Sequence, residues 1–351
     1  LLIERKKGRR RQQHNKSNIG QQPIGPRQQF KIKKKMELKL IKTLWGIDEP
    51  ISTKLFNSIK EEGYHGVEVI RLAWDGENNR DLLTSSLNEA GLACVCQIHT
   101  AGGYINDDNG EYVYCGAYDV EVHQEDFKKQ LQECKELLTL VQNGGFINVH
   151  AGVDAWSNDE VIQFLTFCFN EIEQTTCITV TFETHRQRIF GSPFQTRDIL
   201  SIPSIAQSKY LKLNADLSHW YCSCERVFNS NDDERDKWWP KVLTLVSKRC
   251  EYIHARFGFA QGPQMSDPSA VECDTDRKLQ IEVWQLLMKE QKKKRLLSSS
   301  TTTTGGIIFV SPEYGPAPYM PSKPHTLEPV ASLPKAVWFT KMVIEEIFKS
   351  I

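Results

Sequence analysis

The chain has 351 residues, with 44 Lys and Arg against 44 Asp and Glu, and 40% of its residues are hydrophobic. The charge is unevenly spread: residues 1–35 carry 12 basic side chains and one acidic, which leaves residues 36–351 at −11. An acidic body argues against non-specific nucleic-acid binding by the folded part, and no run approaches the roughly 20 apolar residues that a membrane-spanning helix needs.

Residues 1–35 are rich in Gln, Lys and Arg and poor in apolar side chains, which predicts a disordered basic tail. Arg5-Lys6-Lys7-Gly8-Arg9-Arg10-Arg11 is a candidate nuclear-import or RNA-contacting patch, although a solvated tail is the simpler explanation. The first Met is Met36, directly before the first predicted strand, so whether the tail belongs to the mature protein is open. No apolar run follows the basic start, as a secretory signal would require. Ten Cys are scattered, several of them inside apolar runs where Cys acts as a small hydrophobe. The expected compartment is therefore the reducing cytoplasm. Cys94-Val95-Cys96 and Cys222-Ser223-Cys224 lack the second pair of a zinc ribbon.

From Met36 onward, apolar β-type runs alternate with stretches of helical periodicity. In chain order the predicted pairs are strand 40–45 with helix 51–62, 66–72 with 79–90, 92–99 with 125–141, and 146–150 with 158–174. Then follow 178–183 with 194–207, 211–216 with 236–249, 252–255 with 277–293, and 307–311 with 334–349. Ser52-Thr53 and Asn158-Asp159-Glu160 supply capping oxygens and early acids, and Gly63, Gly91 and Gly144-Gly145 fall where helices should stop. Eight strand–helix units in one run predict an α/β fold, a (β/α)8 TIM barrel over residues 36–351. A doubly wound open sheet is the alternative, and the missing Gly-rich turn after the first strand counts against its dinucleotide-binding form. Stretches 100–124 and 257–276 read as insertions on the face where strands end. Stretch 292–306 reads as a flexible insertion on the opposite face.

Chemistry gathers at the downstream ends of strands five to eight. Phe182-Glu183-Thr184-His185, Asn214-Ala215-Asp216, Ile253-His254-Ala255-Arg256 and Ser311-Pro312-Glu313-Tyr314 each place an acid or an imidazole there. Glu183, Asp216, His254 and Glu313 form a mixed oxygen and nitrogen set suited to one divalent cation: Mn, Mg, Co or Zn. A single strand-end acid is often a cap or an ion-pair partner; four coincident ones are harder to explain that way. His219 lies three residues past Asp216 and reads as a second ligand or a donor to a substrate oxygen. Arg256 lies on the same side of its strand as His254 and reads as a cation for a phosphate or carboxylate, or as an ion-pair partner. His99 and His150 end strands three and four and read equally as pocket or packing residues. His185 and Arg186 follow Glu183 and are candidates to line the pocket. Trp156, Trp220 and Tyr319 are candidates for an apolar wall, or for the ordinary packing of aromatics near a barrel mouth.

Glu183, Asp216 with His219, His254 and Glu313 resemble the metal constellation of the xylose isomerase-like TIM-barrel superfamily, which includes sugar phosphate isomerases and epimerases, ketose 3-epimerases and endonuclease IV. Glu183-Thr184-His185-Arg186, His254-Ala255-Arg256 and Gln261-Gly262-Pro263-Gln264 further resemble its sugar phosphate isomerase/epimerase branch. The resemblance implies a metal-dependent sugar or sugar phosphate isomerase or epimerase. Glu183 and Glu313 would be both ligands and catalytic acid–base groups, working through an enediolate. His219, Arg256, His99, His150 and His185 would contact substrate. The implied partner is a small carbohydrate-like molecule, with no membrane, nucleic acid only through the basic tail, and a homo-oligomer left open. Three alternatives remain. A dehydratase of the same fold would use the same ligands. An endonuclease IV-like phosphodiesterase lacks the Asp-x-His pair expected after strand seven, where the chain reads Phe257-Gly258-Phe259-Ala260-Gln261-Gly262-Pro263. A non-catalytic binding module would be expected to have lost its ligands.

Overall fold

The computed structural model describes residues 36–74, 76–101, 104–106, 112–114, 116–175, 178–297 and 306–351. The basic tail, with the disorder and the nucleic-acid patch expected of it, lies outside the described residues, as do parts of the 100–124 and 292–306 insertions.

The chain opens with β1 (Glu37–Thr43), α1 (Thr53–Glu61), β2 (Gly66–Ile70), α2 (Glu77–Ala90) and β3 (Ala93–His99). A small antiparallel pair, β4 (Tyr104–Asn106) and β5 (Tyr112–Tyr114), lies within the first insertion. Next come α3 (Val120–Leu140), β6 (Gly145–His150), α4 (Asn158–Glu173), β7 (Val180–Glu183), α5 (Pro193–Ser201), α6 (Pro203–Ala206), β8 (Leu213–Ala215) and α7 (Ser218–Ser223). The chain ends with α8 (Trp239–Arg249), β9 (Cys250–His254), α9 (Asp274–Leu297), β10 (Ile307–Ser311) and α10 (Leu333–Ser350). The eight long-range strands pair in parallel as a closed ring, β1-β10-β9-β8-β7-β6-β3-β2, so the expected TIM barrel is what the chain forms. No helix among the described residues is long and apolar enough to cross a membrane.

Local signals explain most element ends. Ser52 caps α1 by accepting from the Leu55 N–H, and Ser157 with Glu160 makes a full capping box one residue ahead of the expected start of α4. The expected helix 194–207 is split because Pro203 has no N–H and keeps Ile202 extended. Residues 71–74 leave the expected strand as a single 3₁₀ turn.

Alternation along each strand sorts side chains between two environments. One set packs outward against the helices as the main core. The other points inward: Ile41, Val95, Phe146 and Tyr252 form a separate buried cluster, joined by Phe309. Two residues further along β9, on the same side as Tyr252, comes His254. Pairing aligns His99 with His150, Glu183 with Asn214 and Ser311 with His254, which brings one end of the ring into register. At the other end, Gly145 permits close strand approach, since a Cβ there would stand 1.8 Å from the Cys94 carbonyl oxygen. Gly145→Ala is expected to cost about 1–3 kcal/mol, read as a lower midpoint in thermal melts. An unchanged midpoint would show that β3 and β6 can separate freely.

Candidate metal centre

Glu183 ends β7, Asp216 follows β8, His254 ends β9 and Glu313 stands two residues past β10. One ligand atom from each lies within 4.8 Å of the others, and all four side chains are buried. His254 is at the centre. Its Nδ1 is 3.0 Å from Glu313 Oε2 and 3.4 Å from Glu183 Oε2, while its Nε2 is 2.8 Å from Glu68 Oε2. Glu68, on β2, is 1% exposed. It also accepts hydrogen bonds from Tyr252 Oη at 2.8 Å and Asn148 Nδ2 at 3.2 Å. A carboxylate can only accept, so the contact fixes a proton on His254 Nε2 and directs Nδ1 at the cluster. Asn148 and Asn214 donate to Glu183 Oε2 at 2.6 and 3.2 Å, which orients that carboxylate.

Sequence reasoning missed Glu68. The available signal was an acid set between Val67 and Val69 in an otherwise apolar strand.

Asp216 is held by its own turn and by a neighbouring strand. Its Oδ1 accepts from Ser218 N at 3.1 Å and Ser218 Oγ at 2.5 Å, and its Oδ2 accepts from Arg256 Nη2. Arg256 also donates to Ser218 Oγ at 3.2 Å and approaches Glu313 Oε2 at 3.5 Å, so this guanidinium links two of the four candidate ligands. Its Nη2 lies 2.7 Å from His219 Nε2. Because guanidinium only donates, His219 Nε2 accepts, and the Nδ1–H is left buried without a partner. His219 lies in the first turn of α7 and is fully buried.

His99, His150 and His185 form a row with His219 along the same end of the barrel. Ring centroids are 4.2 Å apart for His99 and His150, 4.7 Å for His150 and His185, and 3.8 Å for His185 and His219. His150 Nε2 stands 3.0 Å from Glu183 Oε2, and His150, Glu183 and His185 make a second group with ligand atoms within 4.8 Å of one another. His185 Nδ1 donates to the Arg186 carbonyl at 2.6 Å. Of the three candidate wall aromatics, Trp220 and Trp156 belong to the core, their indole N–H groups donating to Phe190 and Tyr118 carbonyls. Tyr319 is the one at the site, with its ring over Arg256. Gln264, from the insertion after β9, exchanges two hydrogen bonds with the Gly315 backbone at 2.8 and 2.9 Å, two residues past Glu313.

Electrostatics follow from burial and from this set of neighbours. Burial disfavours charge on Glu183, yet His150 and His254 outweigh it and hold the carboxyl well below its usual range. Glu313 behaves likewise: His254 and Arg256 overcome burial and bring it to about 2. Burial also opposes charge on His254, but Glu313, Glu68 and Glu183 raise it well above the ordinary imidazole value. Burial pushes Asp216 up to about 7, with Arg256 opposing and Glu313 and Glu183 adding to the rise. His99, His185 and His219 are pulled well below the imidazole range, chiefly by burial. His254 Nδ1 and Glu313 Oε2, though close, are misaligned for a hydrogen bond, and both are buried without one. Three carboxylates, one imidazole and two unsatisfied ligand atoms fit a divalent cation.

The sequence matches no protein-family model and no curated protein. Solved structures do match. D-Psicose 3-epimerase from Clostridium cellulolyticum H10, solved with D-tagatose, aligns over 89% of this chain and 98% of its own at 7% identity and TM-score 0.50. The IolI protein with a bound zinc atom aligns over 89% and 98% at 13% identity and TM-score 0.51. A xylose isomerase domain protein from Planctomyces limnophilus aligns over 91% and 99% at 10% identity and TM-score 0.51. At these identities the likeness is one of fold.

Two outcomes follow. Glu68→Gln replaces an acceptor with an amide that must present N–H to at least one of its donors, so Mn²⁺ affinity is expected to fall about 10–100-fold; equal affinity by titration calorimetry would remove Glu68 from the site. A metal must also displace protons from His254 and, below pH 7, from Asp216. Affinity is therefore expected to rise about tenfold or more per pH unit between pH 5.5 and 7, with proton release visible across buffers of different ionisation enthalpy. A pH-independent affinity would contradict the charge assignment.

Proposed function

On a chain with the fold of the xylose isomerase-like TIM barrels, we propose that the protein is a divalent-metal-dependent isomerase or epimerase of a sugar or sugar phosphate. The observation that carries this reading is the convergence of Glu183, Asp216, His254 and Glu313 within 4.8 Å at the ends of four consecutive barrel strands. These four would hold the ion. When bound, a divalent cation supplies Lewis acidity that polarises a carbonyl and acidifies the neighbouring C–H.

The protein's own groups would then move the proton. Glu183 and Glu313 are held ionised by adjacent cations despite burial, the state in which a carboxylate can act as a base. One of the two would take a proton from the carbon beside the carbonyl, leaving an enediolate, and the same carboxyl could hand that proton to the neighbouring carbon, giving an isomer. For an epimer the other glutamate, having first taken up a proton from solvent, would deliver it to the original carbon from the opposite face, and the first would release its proton to solvent at the end of the turnover. His150, 3.0 Å from Glu183 Oε2, would fix that carboxylate during the transfer. His219 would offer its unpartnered Nδ1–H to a substrate oxygen. Burial of the whole set excludes water and strengthens each of these contacts.

The test is solvent deuterium exchange into a panel of ketoses in the presence of Mn²⁺. Wild-type protein is expected to place deuterium on a carbon next to a carbonyl. Glu183→Gln and Glu313→Gln are each expected to slow exchange by about 10²–10⁴ with unchanged circular dichroism. Exchange at the wild-type rate in both variants would refute the acid–base assignment.

A further inference from the structure

Two arginines stand at the mouth of the site, and their partners differ. Arg256 is fully engaged: it reaches Asp216, Ser218 and His219 and approaches Glu313. Arg186, which follows His185 just past β7, is half-buried. Among the described residues its side chain makes one hydrogen bond, to Cys222 Sγ at 3.6 Å, and no ion pair. A thiol is a weak acceptor and cannot match the two-pronged donor face of a guanidinium. Both guanidiniums lie over the Tyr319 ring, Arg186 at 5.2 Å and Arg256 at 5.0 Å from its centroid. Tyr319 is braced in turn by Trp45, whose ring meets it edge-on at 4.8 Å.

We infer that Arg186 is the receptor for an anionic group, carboxylate or phosphate, on the substrate of this site. The inference rests on the proposed isomerase reading and narrows it from sugars in general to acidic sugars. Arg256 neutralises the carboxylate cluster, so its charge is already matched. Arg186 is a few ångströms from the same ring, without an ion-pair partner among the described residues, and it carries the planar fork that carboxylate and phosphate oxygens bind in pairs. Tyr319 is the group the two guanidiniums share: Arg256 reaches from it to the cluster, and Arg186 would reach the far end of a ligand.

Three ketoses that share a carbon skeleton and differ at C6 test this: D-fructose, D-fructose 6-phosphate and D-fructuronate. Each is titrated calorimetrically into full-length, Mn²⁺-loaded protein. At least one of the two anionic sugars is expected to bind about tenfold or more tighter than D-fructose, and which one does identifies the anion. Arg186→Gln is expected to bring the anionic sugars down to the level of D-fructose while Mn²⁺ affinity stays unchanged, and Arg186→Lys to restore part of the preference. Equal binding of the three sugars, no binding of any, or a preference that survives Arg186→Gln would overturn the inference. Deuterium exchange into a neutral ketose with no anionic preference would sink the anion receptor alone. An Arg186-dependent preference without exchange into any ketose would sink the isomerase reading alone.

Discussion

The structure turns on concentrated negative charge in a place that excludes water. Glu68, Glu183, Asp216 and Glu313 are each no more than 5% exposed, inside or at the end of one barrel. Like charges at such distances repel strongly in a low dielectric, and a buried carboxylate without a partner is costly. Two cations offset this. His254 lies among Glu68, Glu183 and Glu313, and Arg256 bridges Asp216 and Glu313. The opposite shifts of Asp216, raised to about 7, and Glu313, lowered to about 2, show how closely the balance is set.

The barrel makes that concentration sustainable by stacking it in layers. An apolar layer of Ile41, Val95, Phe146 and Tyr252 fills the interior on one side. Above it, Glu68 gathers donors from β6 and β9, and Asn148 spans from Glu68 to Glu183. The outermost layer carries the ligand atoms. Each layer therefore orients the next, so a change at Glu68 is felt at His254 Nδ1 although Glu68 itself does not face the cluster. The clamp of Gln264 on Gly315 serves the same end from outside, by fixing the loop that carries Glu313.

Much of this was legible in the sequence, for identifiable reasons. Apolar runs alternating with helical periodicity give the order and number of barrel strands, because each buried parallel strand must be apolar on both faces. Strand-end acids and His254 stand out because charge is unusual beside such runs. Glu68 was marked only as an acid inside the apolar run Gly66-Val67-Glu68-Val69-Ile70; its role was not legible, because only the closed ring shows that its face meets β6 and β9. Arg256 read as an anion-binding cation or as an ion-pair partner; the sequence did not say which, because its bonds to Asp216 and Ser218 cross between strands. Trp220 read as a candidate wall or as ordinary packing, and α7 turns it into the core, whereas Tyr319 reaches the site through a loop with no periodicity to read.

The most direct measurement is an anomalous difference map from a crystal of the protein soaked in Mn²⁺. One peak within about 2.0–2.4 Å of His254 Nδ1 and of oxygens from Glu183, Asp216 and Glu313 is the expected result. A map with no peak there, or one in which the ion binds away from these four residues, would contradict the claim that they form a single metal centre.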